Sequence, residues 1–509
     1  MSPRAVSPKH ALYLGIDIGS SSSKAVLVDQ TGRVRDRAQV PHAMSLPKPG
    51  WAEHDAETIW WSDFVALARE LTSRAPHPIT AVGVSGIGPC FLPVDGANRP
   101  LRPAILYGVD TRAQREVEEL TERFGADAIL ARCGSALSSQ AVGPKILWVR
   151  KHEPEVWAET RRFLMSSSFL VERLTGNYVL DHHSASQCDP LYDLAAESWI
   201  RDWADEVAPG LELPRLAWSD EVAGTVTPKA AAATGIAVGT PVTVGTIDAW
   251  AEAMSVGVQT PGDTMLMYGT TTFVVSATDR VVPHPALWAT AGVSAGSRTL
   301  AAGMATSGAL TGWFRDLVGG PPFEELVAAA SEAPPGSDGL VVLPYFAGER
   351  TPIYDPSARG LILGLTLRHG RAELYRALLE GTAYGIRHIA ETMERAGVRP
   401  TRIVAVGGGT IGDLWTRIVS DATGLAQVIP NETSGAAYGD AMLAATAIGQ
   451  RETGDWNGAA AVIEPDPSAA SLYDELYGVY RSLYPATVEQ AHTLAAIQER
   501  TARLSPDRS

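Results

Sequence analysis

The chain has 509 residues, more than one hydrophobic core normally organises, so two or three domains are expected. Apolar residues make up 45% of it and charged residues 19%, a globular balance that excludes extensive disorder. A net charge of −15 argues against nonspecific binding to nucleic acid or to an anionic membrane, but not against a phosphate held by backbone amides and a metal ion.

Residues 1–10 form a polar, proline-containing arm. In LYLGIDIGSSSSKAVLVDQTGRV, two β-rich runs, Tyr13 to Ile18 and Lys24 to Val28, flank a Gly/Ser turn, and Asp29 to Gly32 makes a second turn before a third strand. ITAVGVSGIGPCFLPV (79–94) reads as a buried strand, a glycine break and another strand. Arg112 to Phe124 and Ile146 to Trp157 read as helices, and PVTVGTIDAWAEAMSVG (241–257) as strand, turn, helix. DTMLMYGTTTFVVSATDRV then repeats the opening pattern, with Gly269-Thr270-Thr271-Thr272 standing where Gly19-Ser20-Ser21-Ser22 stood. This weak repeat and the turn Gln259-Thr260-Pro261-Gly262 divide the chain into domains at 11–257 and 258–500, with tails at 1–10 and 501–509. Amphipathic helices follow at 371–396 and at 413–423, the latter stopped by Gly424; Gly381 and Gly385, one turn apart, allow close backbone packing. Strands alternating with helices make the fold α/β.

Four segments carry residues suited to chemistry. Gly15-Ile16-Asp17-Ile18-Gly19, four serines and Lys24 offer amides and hydroxyls to phosphate oxygens, with Asp17 placed to hold Mg²⁺ through water. The P-loop spacing is absent, and an ordinary polar hairpin is an equal reading. The second hairpin at Gly269-Thr270-Thr271 makes a pair of phosphate clamps, one in each half of the chain. Gly407, Gly409 and Gly412 match GxGxxG, with Glu432 further on, so a dinucleotide site, an adenosine site and plain strand–helix packing all stay open. Asp248 follows a strand at a helix start; on position alone a helix cap is the simpler reading. His182 and His183, read as strand neighbours, point to opposite faces and give no metal site, while Trp51 lies in a loop able to face a ligand.

In order and spacing, GIDIGSSSSKAVLVD, PGWAEHDAETIWW, PAILYGVDTRA, RLTGNYVLDHHSASQCDPLYD, YGTTTFVV, GERTPIYDPSARGLILGL, RALLEGTAYGIRH, AVGGGTIGDLW and TSGAAYGDAMLAA resemble the FGGY carbohydrate kinases, with xylulokinases the nearest members. The resemblance runs from about 12 to 450 and implies two actin-like (ribonuclease H-like) domains with an interdomain cleft. It implies ATP and Mg²⁺ as cofactors and a small sugar or polyol as acceptor. By carry-over, Asp248 matches the catalytic aspartate and Asp17 the metal-associated carboxylate. Gly19, Ser20, Ser21, Lys24, Gly269, Thr270, Thr271, Gly408, Gly409 and Asp413 fall on the nucleotide side. Gly88, Pro89, Asp110, Arg112 and Trp51 fall on the substrate side, where Gly88 and Pro89 replace a Met-His pair typical of xylulokinases and Tyr107 replaces a tryptophan. An ATPase or a sugar-sensing protein of the same fold is the alternative.

Cys90, Cys133 and Cys188 are too few and too scattered for a disulfide framework or zinc site and read as reduced thiols. With no secretion signal at the start and no apolar run near the ~20 residues that span a bilayer, a cytoplasmic protein is expected, with neither nucleic-acid nor membrane partner. Oligomeric state stays open, a homodimer being common for such enzymes.

Overall fold

The structure, a computed structural model, describes residues 10–450, 453 and 456–504, so the expected tails lie mostly outside it. The chain forms two compact units, neither of them one stretch of sequence. The first runs up to Pro261 and adds Ala277–Thr299 and Ser434–Gly458; the second holds Gly262–Ser276, Leu300–Thr433 and the chain from Ala459 onward. One cut near 257 does not describe the two later segments, which return to the first unit.

In the first unit, β1 (Leu12–Ile18), β2 (Ser22–Asp29) and β3 (Val34–Pro41) form an antiparallel meander. β4 (Ala81–Gly86) lies parallel to β1 on its other side. The short strand β5 (Val179–Asp181) stands outside this sheet. β6 (Val222–Thr225) and β7 (Pro241–Thr243) complete it in the order β6-β7-β4-β1-β2-β3, and the two-residue β8 (Thr246–Ile247) also pairs with β4. All residues of β1 and β4 are buried, as expected of central parallel strands covered on both faces.

The two-residue period of β1 sorts its side chains. Leu12, Leu14, Ile16 and Ile18 join Phe64, Leu67 and Leu71 of helix α1 (Ser62–Arg74) in one core. Tyr13 faces the opposite core, with Tyr438, Met442 and Leu443 of a helix at Ala436–Ala447. Asp17 shares Tyr13's parity, and β4 aligns Ser85 with it. A Cβ on Gly83 would stand 1.9 Å from the carbonyl oxygen of Asp440, so this helix can lie directly on the sheet only because the residue is glycine.

The second unit repeats the opening pattern. β9 (Asp263–Tyr268) and β10 (Thr272–Thr278) form an antiparallel hairpin beside a parallel strand at Arg402–Val406. β11 (Arg298–Met304), β12 (Arg402–Val406), β13 (Gln427–Pro430) and β14 (Ala459–Ile463) give the order β11-β10-β9-β12-β13-β14. The expected long helices run Arg371–Arg395 and Leu414–Thr423. Cβ atoms at Gly381 and Gly385 would meet Val342 O at 2.7 Å and Met304 Cε at 2.4 Å, which is the close packing their spacing predicts.

Two local readings change. The helix expected over 146–157 is two, Val142–His152 and Pro154–Glu159, because Pro154 lacks the N–H needed to continue the first. His182 and His183 lie not on a strand but in a one-turn helix, His182–Ala185, capped by Asp181. His182 stacks on Trp218 at 4.3 Å and His183 on Trp250 at 3.8 Å between ring centres. The three cysteines are free and buried. No helix among the described residues is long and apolar enough to cross a membrane.

Candidate active site

The first unit gathers acids at the carboxyl ends of β1 and β4. Ser85 Oγ stands 3.2 Å from Asp17 Oδ1 and 2.7 Å from Asp440 Oδ2, so one hydroxyl joins two carboxyl groups. Asp440 is fully buried, and its Oδ1 has no hydrogen-bond partner among the described residues. Asp248 opens helix α2 (Asp248–Ser255), with Ile247 in the cap position; Asp248 Oδ1 accepts the Ala249 N–H at 2.7 Å. The aspartate is therefore the first helical residue and not the cap that its position alone suggests.

Burial, then the charge of Asp17, pushes the carboxyl of Asp248 well above the usual range, with a smaller push from Glu252. Asp440 is raised well above it by burial, then by Asp17 and by Asp248. Burial lifts Asp17 itself to about 6, against the stabilising pull of Ser85, Lys24 and His42. Burial and Asp17 lift Glu252 to about 7, with Lys24 opposing. Four acids thus crowd together, with Lys24 the cation that acts on both Asp17 and Glu252. A divalent cation would offset the burial and mutual repulsion that oppose ionisation of these acids. Among the described residues, no group of three or more His, Cys, Asp or Glu side chains is arranged to ligate a metal. The donors therefore fit a cation that keeps most of its water, as Mg²⁺ does, and not a protein cage.

The Gly19-Ser20-Ser21 turn closes with Gly19 N–H donating to Ser22 O at 3.1 Å. His42 pins it from behind: Nε2 lies 3.0 Å from Gly19 O, and Nδ1 lies 2.8 Å from Asp63 Oδ2. Lys24, aligned with Asp17 across the hairpin, is exposed.

On the other side, a Cβ at Gly88 would meet Ile247 Cγ1 at 2.6 Å. The Gly88-Pro89 turn thus packs on the residue before Asp248. Asp110, Arg112 and Trp51 are close to one another but engaged internally. Arg112 Nη2 donates to Asp110 Oδ2 at 2.6 Å and Nη1 to Glu53 Oε1 at 2.7 Å, while Asp110 Oδ2 also accepts the Ala52 N–H at 2.7 Å. The Arg112 guanidinium lies 3.9 Å from the Trp51 ring centre. Its side chain is fully buried, so the trio braces the loop and offers no arginine donor at the surface.

In the second unit, helix α3 (Gly308–Leu317) holds the Gly269-Thr270-Thr271 turn. Gly308 N–H donates to Gly269 O at 2.9 Å, and Ser307 and Ala309 N–H donate to Thr270 O at 3.1 and 3.0 Å. The glycine run lies beside this turn. Gly407 has φ of +91°, where a Cβ would stand 2.6 Å from Tyr268 O, and a Cβ at Gly409 would stand 2.7 Å from Tyr268 Cβ; Gly408 faces open space. Tyr268 directly precedes Gly269, so the turn and the glycine run form one surface. The following helix starts at Leu414, beyond Gly412, with exposed Asp413 before it at φ of +58°. A dinucleotide fold would start that helix within the glycines, so this geometry disfavours the GxGxxG rival.

Sequence reasoning missed Ser85, Asp440, Glu252 and the His42–Asp63 pair. Asp440 carried a signal: it is an acid inside AAYGDAMLAA, a helix buried on all sides.

Residues 12–255 match the model of the N-terminal domain, and residues 264–448 that of the C-terminal domain, of the FGGY family of carbohydrate kinases. The chain is 30% identical to the xylulose kinase of Escherichia coli over 81% of its own length and 85% of that protein's. It is 31% identical to the glycerol kinase of Nocardia farcinica over 85% and 89% of the two chains. The crystal structure of xylulose kinase from Rhodospirillum rubrum superposes with a TM-score of 0.88 at 32% identity, over 94% of this chain and 100% of that one.

Proposed function

Because the chain belongs to the FGGY family of carbohydrate kinases, we propose that it moves the γ-phosphoryl group of ATP onto a hydroxyl of a small sugar or polyol, with Asp248 as general base. A ketose such as xylulose is the first acceptor to test, since relatives named xylulose kinase cover most of the chain. The observation that carries this reading is Asp248 itself: a carboxylate at a helix start, within the field of Asp17 and backed by the Gly88 turn.

In the proposed reaction an acceptor hydroxyl gives its proton to Asp248 as its oxygen bonds to the γ-phosphorus. The bond from that phosphorus to the β-γ bridging oxygen breaks, and ADP leaves with the electron pair. Such a base contributes roughly 10²–10⁴-fold. Asp248 accepts a proton only when ionised; burial first, and then the charge of Asp17, oppose its ionisation, so compensating the charge of Asp17 removes the second of these two obstacles. Asp17 is the residue proposed to hold Mg²⁺, which when bound supplies charge compensation to the phosphates. Gly19, Ser20, Ser21, Lys24, Gly269, Thr270, Thr271, Gly408, Gly409 and Asp413 are the residues proposed for the nucleotide. Gly88 and Pro89 stand in the acceptor pocket, and the proposed setting is the cytoplasm.

The test is a coupled assay of ADP release against ketoses, aldoses, polyols and glycerol, with Asp248→Ala alongside. Acceptor-dependent release lost in that variant supports the reading. Phosphate release that ignores every acceptor argues for an ATPase instead.

A further inference from the structure

Asp181 ends β5 and caps the one-turn helix after it, its Oδ2 accepting the Ser184 N–H at 3.1 Å. A cap needs no more than that. Yet the same oxygen also accepts from Ser219 Oγ at 3.2 Å and from Thr246 Oγ1 at 2.9 Å, residues 38 and 65 positions away. Asp181 is 1% exposed, and Ser184, Ser219 and Thr246 are fully buried. Burying a carboxyl group in this way is costly, and Asp181 Oδ1 has no partner among the described residues. Burial lifts the acid to about 6 in spite of the donors from Ser184, Thr246 and Ser219.

Thr246 gives that arrangement a purpose. It begins β8, whose second residue is Ile247, and Asp248 comes next. The strand is two residues long, paired to β4 through Thr246 opposite Ser85 and Ile247 opposite Gly86. Before it stands Gly245 at φ of +76°. So short a strand gives Asp248 little backbone anchoring, and the Thr246 hydroxyl adds a fixed point two residues upstream.

We infer that Asp181 is a positioning residue for Asp248, holding Thr246 so that the helix start presents its carboxylate to the acceptor. The inference rests on the reading of Asp248 as the base. Asp181 itself touches no reacting atom.

Thr246→Val and Ser219→Ala each delete one hydroxyl donor to the same buried oxygen, but only the first lies on the segment leading to Asp248. A merely structural Asp181 makes the two equivalent. Expected for Thr246→Val is a kcat lower by roughly 10- to 100-fold, the cost of misplacing a reacting group. Its nucleotide dissociation constant stays unchanged and its melting temperature matches that of Ser219→Ala. Ser219→Ala keeps the wild-type kcat, and Thr246→Ser, which restores the hydroxyl, recovers it. If Thr246→Val does not fold, Thr246→Ala carries the same comparison. Equal kcat values in the two deletion variants, or losses that track melting temperature alone, overturn the inference. Asp248→Ala, measured in the same series, separates the two failures. Turnover in that variant sinks the base assignment, whereas an inactive Asp248→Ala beside an unaffected Thr246→Val sinks only the role of Asp181.

Discussion

Ser85 and Asp440, 355 positions apart in the chain, meet across a 2.7 Å hydrogen bond at the floor of the acid cluster. The same serine oxygen lies 3.2 Å from Asp17. Ser85→Ala removes the hydroxyl that donates to Asp440 Oδ2, on a buried acid whose Oδ1 has no partner among the described residues. A buried group stripped of its partner costs about 1–3 kcal/mol, so the melting temperature should fall by several degrees. An unchanged melting temperature would show that Ser85 contributes nothing there.

The protonation of Asp440 makes stability pH-dependent. Its carboxyl titrates far above the value of about 3.9 expected in the unfolded chain. Between those two values the native state holds a proton that the unfolded state has released. Stability therefore falls as pH rises through that window, and the contribution is intact only below it. Asp440→Asn cannot ionise. Its melting temperature should gain on that of the wild type steadily from about pH 4 toward neutrality. Parallel melting curves across that range would contradict the assignment.

Asp248→Asn keeps the size and the Ala249 contact but not the basicity. We expect kcat to fall by roughly 10²–10⁴-fold with ATP affinity intact, as seen by steady-state kinetics and calorimetry. Near-normal turnover would end the case for Asp248.

Gly308→Ala tests the second unit. The added Cβ would stand 2.6 Å from Gly269 O and press the proposed phosphate turn out of place. Overpacking of this kind costs about 1–3 kcal/mol. If that cost falls on nucleotide binding, the KM for ATP rises roughly 5- to 150-fold, with the acceptor KM little changed.

Arg112→Met separates bracing from substrate contact. It leaves Asp110 without its cation, a loss of about 3–5 kcal/mol for a buried pair, while Glu53 keeps its ion pair with Arg102. A large drop in melting temperature is expected. A raised acceptor KM at unchanged stability would instead return Arg112 to the substrate.

Most of the fold was legible from local pattern. Two hairpins with Gly and hydroxyl turns, the β1 run and the helix at 371–395 are specified by residues within a few positions of one another. Asp17 and Asp248 were found as candidates because each ends or follows a strand. His182 and His183 were misread because one capping carboxylate, Asp181, turns that stretch into a helical turn, and short apolar stretches do not reveal such a cap. Asp110 and Arg112 looked like substrate contacts by motif, and their mutual saturation became visible only with coordinates.

By itself, the sequence determined the two hairpins with their glycine and hydroxyl turns and the long helix at 371–395, because those preferences are set by neighbours along the chain. Tertiary structure alone decided that helix Ala436–Ala447 returns to the first unit and sets Asp440 against Ser85, and that Asp181 reaches Thr246. Those contacts depend on which buried faces pack together, and packing between distant segments follows from shape and burial that no local pattern encodes.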